Sequence, residues 1–392
     1  MWHGIFLALA QNFMDVDTIV PSMIIDAGGN SFHIGLLTAI ILGGSSFMQL
    51  VFSPYLNNKK EKKNYLISAI LIRVAALLGL GILLYFTSKN SSFSSPLTLI
   101  FGLIILFSLS GAFAAISYTD ILGKSMLPEK RKSFFSIRQA VMGIGVFISA
   151  LLASKMLVGF DYPINYSVLF VTAGIALGIA SLGFLKIKEV GVTVHKIEGV
   201  KNYIQTLRSE IKSNSRLKGY LLVVNTLGVS LSLLPFLMLY SKQHFNTGNS
   251  VVGQYLVFKV VAGVIAGLTI YFFAHKVKYK KLLMGIAFLA LLIPIHLLYF
   301  QWQPAFIIYF FAGGLIYTLY KIAIEGILLE VSSNENRAIY AGISGAGSII
   351  PIIFPIVGGW IIGSFGFTWF FALFLTLILL SVYFITKLNC TK

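Results

Sequence analysis

Residues 96–122 read PLTLIFGLIILFSLSGAFAAISYTDIL. One charged residue, Asp120, stands in the whole stretch, close to its end. A hydrocarbon core ~30 Å thick takes ~20 apolar residues per helical crossing, so this segment reads as a transmembrane helix. The pattern repeats outward in both directions. Segments 3–26, 33–55, 65–87, 138–160, 165–186, 218–241, 251–273, 281–300, 305–330, 338–363 and 366–387 have the same character, twelve with the first. The 392-residue chain is 57% hydrophobic and 11% charged, a balance foreign to a soluble domain of this size. The expected fold is an all-α polytopic membrane protein with twelve transmembrane helices.

Charge placement orients those helices. The formal net charge is +17 from 30 Lys and Arg against 13 Asp and Glu. Only Arg73, Lys155, Lys259 and Lys321 fall inside apolar segments, and only Lys89 and Lys242 in the loops of one side. The other basic residues share the opposite side, which the positive-inside rule assigns to the cytoplasm. Both termini are expected there, in a bacterial cytoplasmic (inner) membrane. The basic loops are short and separated by spans, which argues against a nucleic-acid surface. Cys390 is the sole cysteine, so neither an intrachain disulfide nor a Cys-based metal site can form. Asp15 and Asp17 interrupt the first apolar run, which reads as a retained span and not a cleaved leader.

No His-Glu-x-x-His, Gly-x-Ser-x-Gly or Cys-x-x-Cys pattern occurs. Gly123-Lys124-Ser125 resembles the tail of a phosphate loop, but Tyr118 stands where its first glycine belongs. Enzyme chemistry, a metal, a cofactor and ATP-driven transport by this chain are therefore not expected.

The chain divides into an N-terminal part (1–186), a soluble connection (187–217) and a C-terminal part (218–392). Within the connection Val200, Tyr203, Ile204, Leu207 and Ile211 alternate with Lys201, Arg208, Glu210 and Lys212, the pattern of a short amphipathic surface helix. The two larger parts look like copies. Gly29-Asn30-Ser31 leads into the second segment and Gly248-Asn249-Ser250 into the eighth. Asp120 followed by Lys132-Ser133-Phe134-Phe135-Ser136 matches Glu325 followed by Arg337-Ala338-Ile339-Tyr340-Ala341, at one common separation. A parallel six-plus-six repeat is expected.

With these features the chain resembles the major facilitator superfamily. The resemblance covers essentially all of it, and Pro128-Glu129-Lys130-Arg131-Lys132-Ser133-Phe134-Phe135-Ser136-Ile137-Arg138 looks like that family's loop between spans four and five. The family's Gly-x-x-x-Asp-Arg-x-Gly-Arg-Arg motif after span two is here Ser53-Pro54-Tyr55-Leu56-Asn57-Asn58-Lys59-Lys60-Glu61-Lys62-Lys63, basic but without its Gly and Asp. The antiporter pattern of span five is absent from Gly143 to Lys155, which weakens a drug-antiporter reading. The resemblance implies that spans 1, 4, 7 and 10 line a cavity, that spans 2, 5, 8 and 11 form the interface of the halves, and that the halves rock around a midplane site.

Polar residues inside a bilayer are expensive and tend to be functional. Gln11, Asp15, Thr18 and Ser22 follow spacings of one helical face. Asp15 is the candidate proton carrier, with capping or ion pairing as its structural alternative. Asp17 points away from that face and is expected to pair with Arg73. Gly314, Tyr317, Lys321 and Glu325 share a face of span ten, where Lys321 either fixes a negative solute or neutralises Glu325, a second candidate for the proton. Lys259, one turn beyond Tyr255, can hold an anion as a point charge or pair with Asp15. Lys155 can do the same or snorkel, and Asn225 is a candidate solute contact. Asp120, Lys59, Lys60 and Arg131 form the expected gate latch, and His296 a structural polar site. Pro351, Pro355, Gly358 and Gly359 are expected to loosen span eleven.

The expectation is a monomeric secondary transporter of a small anionic or zwitterionic solute, coupled to protons and partnered by lipid. An exporter or flippase of amphipathic molecules, or a non-transporting sensor on the same scaffold, are the alternatives.

Overall fold

In lipid the backbone must satisfy its own hydrogen bonds, so apolar segments of this length become helices. A computed structural model of the chain describes residues 2–57, 59, 61–89, 96–125, 128–185, 205, 208–273, 277–331, 344–345 and 347–388. The helices are α1 (Trp2–Gln11), α2 (Ile19–Asp26), α3 (Ser31–Asn57), α4 (Lys63–Lys89), α5 (Pro96–Ser125), α6 (Pro128–Gly159), α7 (Ile164–Leu182), α8 (Ser215–Leu227), α9 (Leu233–Phe245), α10 (Asn249–Phe273), α11 (Tyr279–Tyr299), α12 (Ala305–Val331), α13 (Ile349–Phe365) and α14 (Phe367–Lys387). Among the described residues nine helices are long and apolar enough to cross a membrane. The other expected segments hold shorter apolar helices, Ser31–Gly44 and Ile349–Phe365, and the interrupted pair α1 and α2. Of the expected amphipathic helix, residues 208–213 are described and helical. Most of the rest of 187–217 lies outside the described residues, as does Cys390.

Contacts divide the chain into two compact units. The first comprises Met1–Gly28, Gly44–Val200 and Gly248–Val257; the second comprises Gly29–Gly43, Lys201–Thr247 and Phe258–Lys392. The starts of α3 and α10 thus each group with the unit opposite to the sequence half that carries them.

In the first unit α4 packs on α5 and α7, and α1 on α6 and α7. Small residues and interhelical hydrogen bonds join membrane helices; here the Ser167 hydroxyl donates to the Gly81 carbonyl at 2.6 Å, tying α7 to α4. In the second unit α11 packs on α12 and α14, and α14 on α8 and α13. Its core is aromatic: Phe236, Phe370, Phe371 and Phe374 are fully buried, with Phe236 and Phe370 ring centroids 4.6 Å apart. Pro351 sits in the first turn of α13, where a missing N–H costs nothing, while Pro355 lies inside that helix.

Candidate functional site

The first span is not one helix. After α1 come a 3-10 turn, Asn12–Met14, and an extended Asp15 (φ −59°, ψ 126°) before α2 begins. Pro21, third in α2, supplies part of the reason: it has no N–H and its ring clashes with the carbonyl four residues earlier. The ladder skips accordingly, with Val20 N–H donating to the Asp15 carbonyl at 2.9 Å and Ser22 N–H to Thr18 at 3.0 Å. The Asp15 carboxylate fills the gap. Its Oδ1 accepts from Asp17 N–H at 3.1 Å, Thr18 N–H at 2.9 Å and the Thr18 hydroxyl at 2.8 Å. This is an Asx-type turn built at membrane depth, where donors left without partners are costly. Asp15 is 7% exposed and Thr18 and Ser22 are fully buried.

The break overturns the shared face expected for the first span. Gln11 ends α1 and is exposed, and the 3-10 turn separates it from Asp15, so their spacing of four carries no common direction. Asn12, in the turn, is nearly buried. Its Nδ2 donates to the Val146 carbonyl at 2.5 Å and to Ser149 Oγ at 2.9 Å, which ties the break to α6. Arg73, the expected partner of Asp17, lies on an aromatic face: its guanidinium carbon is 4.2 Å from the Phe107 centroid, and among the described residues no ion pair joins it to Asp17 and its buried Nε has no hydrogen-bond partner.

Asp26, at the last position of α2, had no role in the sequence reading. The Tyr166 hydroxyl donates to Asp26 Oδ2 at 2.7 Å and lies 2.7 Å from Ser22 Oγ. Tyr166 sits 140 residues away, in a segment whose periodicity gives no hint of the contact.

In the second unit, α10 and α12 cross closely. A Cβ at Gly314 would overlap the Lys259 carbonyl oxygen, so only glycine admits this approach. The crossing brings Lys259 beside Tyr317. Its Nζ lies 5.9 Å from the Tyr317 ring centroid, and Lys321 Nζ lies 4.5 Å from the same centroid. Two ammonium groups therefore share one phenol ring, within reach of cation–π attraction. Lys321 is exposed, Tyr317 half-buried and Lys259 9% exposed. Lys321 and Glu325 do not form the expected pair along the helix: Lys321 turns back to Tyr317, and among the described residues no ion pair joins it to Glu325.

Four other candidates are placed as follows. Tyr255 is fully buried, with no surface to offer a solute. Asn225, expected at the solute, is committed to the backbone: its Nδ2 donates to the Leu221 carbonyl at 2.8 Å and the Gly347 carbonyl at 2.6 Å, and its Oδ1 accepts from Ile350 N–H at 2.9 Å. It closes the start of α13, where helix N–H groups lack partners of their own. His296 takes up the Tyr309 hydroxyl at 2.6 Å and stacks on Phe300. Lys155 is exposed.

Of the expected latch, Lys59 lies over the Tyr55 ring at 5.0 Å. Lys60 and the side chains of Asp120 and Arg131 lie outside the described residues. Lys62, in the same basic run, is 2% exposed. At the end of the second unit away from the basic loops, a cavity of about 250 Å³ is lined by Tyr240, His244, Gln301, Phe367 and Phe371, among others.

Apolar helices of spanning length that bury charged side chains are those of an integral membrane protein. The family model of the Major Facilitator Superfamily matches residues 4–320. The chain belongs to that superfamily and is an integral membrane transporter, not an enzyme. Among solved structures it is similar to the nucleoside transporter NupG (15% identity, TM-score 0.69, 99% of this chain and 98% of that one). It is also similar to a D-xylose-proton symporter (12%, TM-score 0.72, 99% and 96%). A third is a POT family transporter in complex with 5-aminolevulinic acid (11%, TM-score 0.71, 98% and 94%). At these identities the likeness is one of fold. No curated protein matches the chain by sequence.

Proposed function

We propose that this transporter moves a small solute carrying negative charge by alternating access, its halves 1–186 and 218–392 rocking about a site that includes Lys259, Tyr317 and Lys321. The observation that carries the reading is the pair of ammonium groups on the Tyr317 ring. A ring quadrupole offsets a cation only in part, and Lys321 remains exposed, so an anion can complete its coordination by charge-assisted hydrogen bonds. Asp15 is the proposed proton carrier and Glu325 the second candidate; the turn at Asp15 supports the first, because a proton taken up there would alter the geometry of the span. Asp120 with Lys59, Lys60 and Arg131 is the proposed latch. The protein acts as a monomer in a cytoplasmic membrane with both termini inside.

The test is ligand stabilisation and counterflow exchange in proteoliposomes with labelled carboxylates, phosphate esters, amino acids and neutral sugars. Lys321→Gln and Lys259→Gln should each weaken binding of the accepted anion by ~1–3 kcal/mol, the range for a hydrogen bond to a charged group. Lys321→Gln with Glu325→Gln should not recover it. Full recovery in that double variant, or exchange confined to neutral sugars, would overturn the anion site. Asp15→Asn should abolish accumulation driven by a pH gradient while sparing exchange; accumulation that persists moves the proton to Glu325.

A further inference from the structure

The helix α2 has only 8 residues, so its ends weigh heavily in its geometry. Both ends are fastened. At its start the Asp15 turn gathers the amides of Asp17 and Thr18. At its far end Ser22 and Asp26, one turn apart on the same face, meet at a single phenol oxygen. Tyr166 has one hydroxyl proton, and the carboxylate, which only accepts, takes it. The Ser22 hydroxyl must then donate to the phenol oxygen. The result is a directed relay, Ser22 to Tyr166 to Asp26, whose second bond is charge-assisted.

The anchor is itself mounted on other helices. Tyr166 is fully buried near the start of α7. Its N–H donates to Asn165 Oδ1 at 2.8 Å, Asn165 Nδ2 reaches the Leu157 carbonyl of α6 at 3.5 Å, and Ser167 holds Gly81 of α4. Burial, and then the Asp26 carboxylate, push the neighbouring Tyr162 phenol above its ordinary value. The inner piece is fastened separately. Trp2 Nε1 donates to the Ile179 carbonyl at 2.8 Å, and His3 Nδ1 lies 3.2 Å from that of Ala180.

We propose that Tyr166 is the fastener of α2: through Asp26 and Ser22 it sets the far end of that helix, so that Ile19–Asp26 is one rigid piece beyond the break at Asp15. The inference goes beyond the anion site and does not depend on it, since its test needs no solute.

The test is hydrogen–deuterium exchange of the purified full-length protein in lipid nanodiscs. Tyr166→Phe should raise exchange over residues 19–27 tenfold or more and leave 215–245 unchanged. Asp26→Asn keeps an acceptor oxygen and should raise it only a few-fold, as should Ser22→Ala. Tyr166→Phe with Ser22→Ala should exchange no faster than Tyr166→Phe alone, because loss of the phenol hydroxyl already removes the Ser22 bond. In a Cys390→Ser background, a cysteine replacing Thr18 should react with maleimide at least threefold faster when Tyr166 is Phe. Unchanged exchange over 19–27, additive effects in the double variant, or loss of protection throughout the chain would overturn the proposal. Should Tyr166→Phe fail to fold, Ser22→Ala and Asp26→Asn decide it: no local rise in either removes the fastener.

Discussion

The first span of the N-terminal half and the first span of the C-terminal half are both interrupted, by different chemistry. In the first, Asn12–Met14 and an extended Asp15 separate α1 from α2. In the second, the 3-10 stretch Gly228–Ser232 joins α8 to α9 with helical dihedrals on either side, φ −72° and ψ −29° at Leu227 and φ −66° and ψ −45° at Leu233. A proline follows each break, Pro21 and Pro235, each third in its helix. The shared contribution is a missing N–H and a ring that crowds the carbonyl four residues earlier. The remedies differ. The N-terminal span opens fully and spends a buried carboxylate on the opened amides. The C-terminal span only tightens: Ser232 Oγ donates to the Val229 carbonyl at 2.7 Å, and the buried Ser230 Oγ has no hydrogen-bond partner among the described residues. A helix that tightens keeps its two pieces in register, whereas one that opens at an ionisable side chain acquires a joint that chemistry can work on.

The comparison breaks first at Asp15. Asp15→Ala leaves three buried donors without their acceptor and should cost about 3 kcal/mol or more. Asp15→Asn, which keeps Oδ1, should stay within about 1 kcal/mol, and Ser232→Ala should cost no more than that. Thermal unfolding of the three variants in one detergent checks the order; equal losses at Asp15→Ala and Ser232→Ala would make the two joints alike. A smaller effect is expected at Gly228, where a Cβ would sit 2.8 Å from Pro351 Cγ and 2.9 Å from the Tyr320 hydroxyl oxygen. Gly228→Ala should destabilise by about 1–3 kcal/mol through overpacking, because the tightened helix has no slack. The smallest effect sharpens the contrast most. Pro235→Ala should let Gly228–Ser232 relax to α-helix at a change under about 1 kcal/mol, whereas Pro21→Ala should leave the N-terminal break in place, held by Asp15. A structure of each variant distinguishes these outcomes, and a healed first span in Pro21→Ala would assign that break to proline alone.

The apolar segments were legible because a bilayer imposes one length and one composition on each crossing. The break in the first span was legible in principle, since Thr18 followed by a proline in the first turn marks a helix start, but the spacing of Gln11, Asp15, Thr18 and Ser22 was read as though the helix were continuous. The closeness of Tyr317 and Lys321 follows from their spacing of four. Lys259 joins them only because Gly314 admits a backbone from another helix, and no local pattern announces such a crossing. Asn225 is legible as a costly polar group, yet two of its three partners, Gly347 and Ile350, lie more than a hundred residues away. Asp26 and Tyr166 escaped notice for the same reason: each sits near the end of an apolar run, where a polar residue draws no attention until its partner is known.

The ring of Tyr317 serves two masters. An ammonium drawn off toward an anion releases its share of the π face, and the other ammonium gains what the first gives up. On the proposed anion site, occupancy at Lys321 would thus be felt at Lys259 without any helix moving. Such coupling is reciprocal by thermodynamic necessity, so at the proposed site two charges presented together, on one solute or on two, would be weighed jointly.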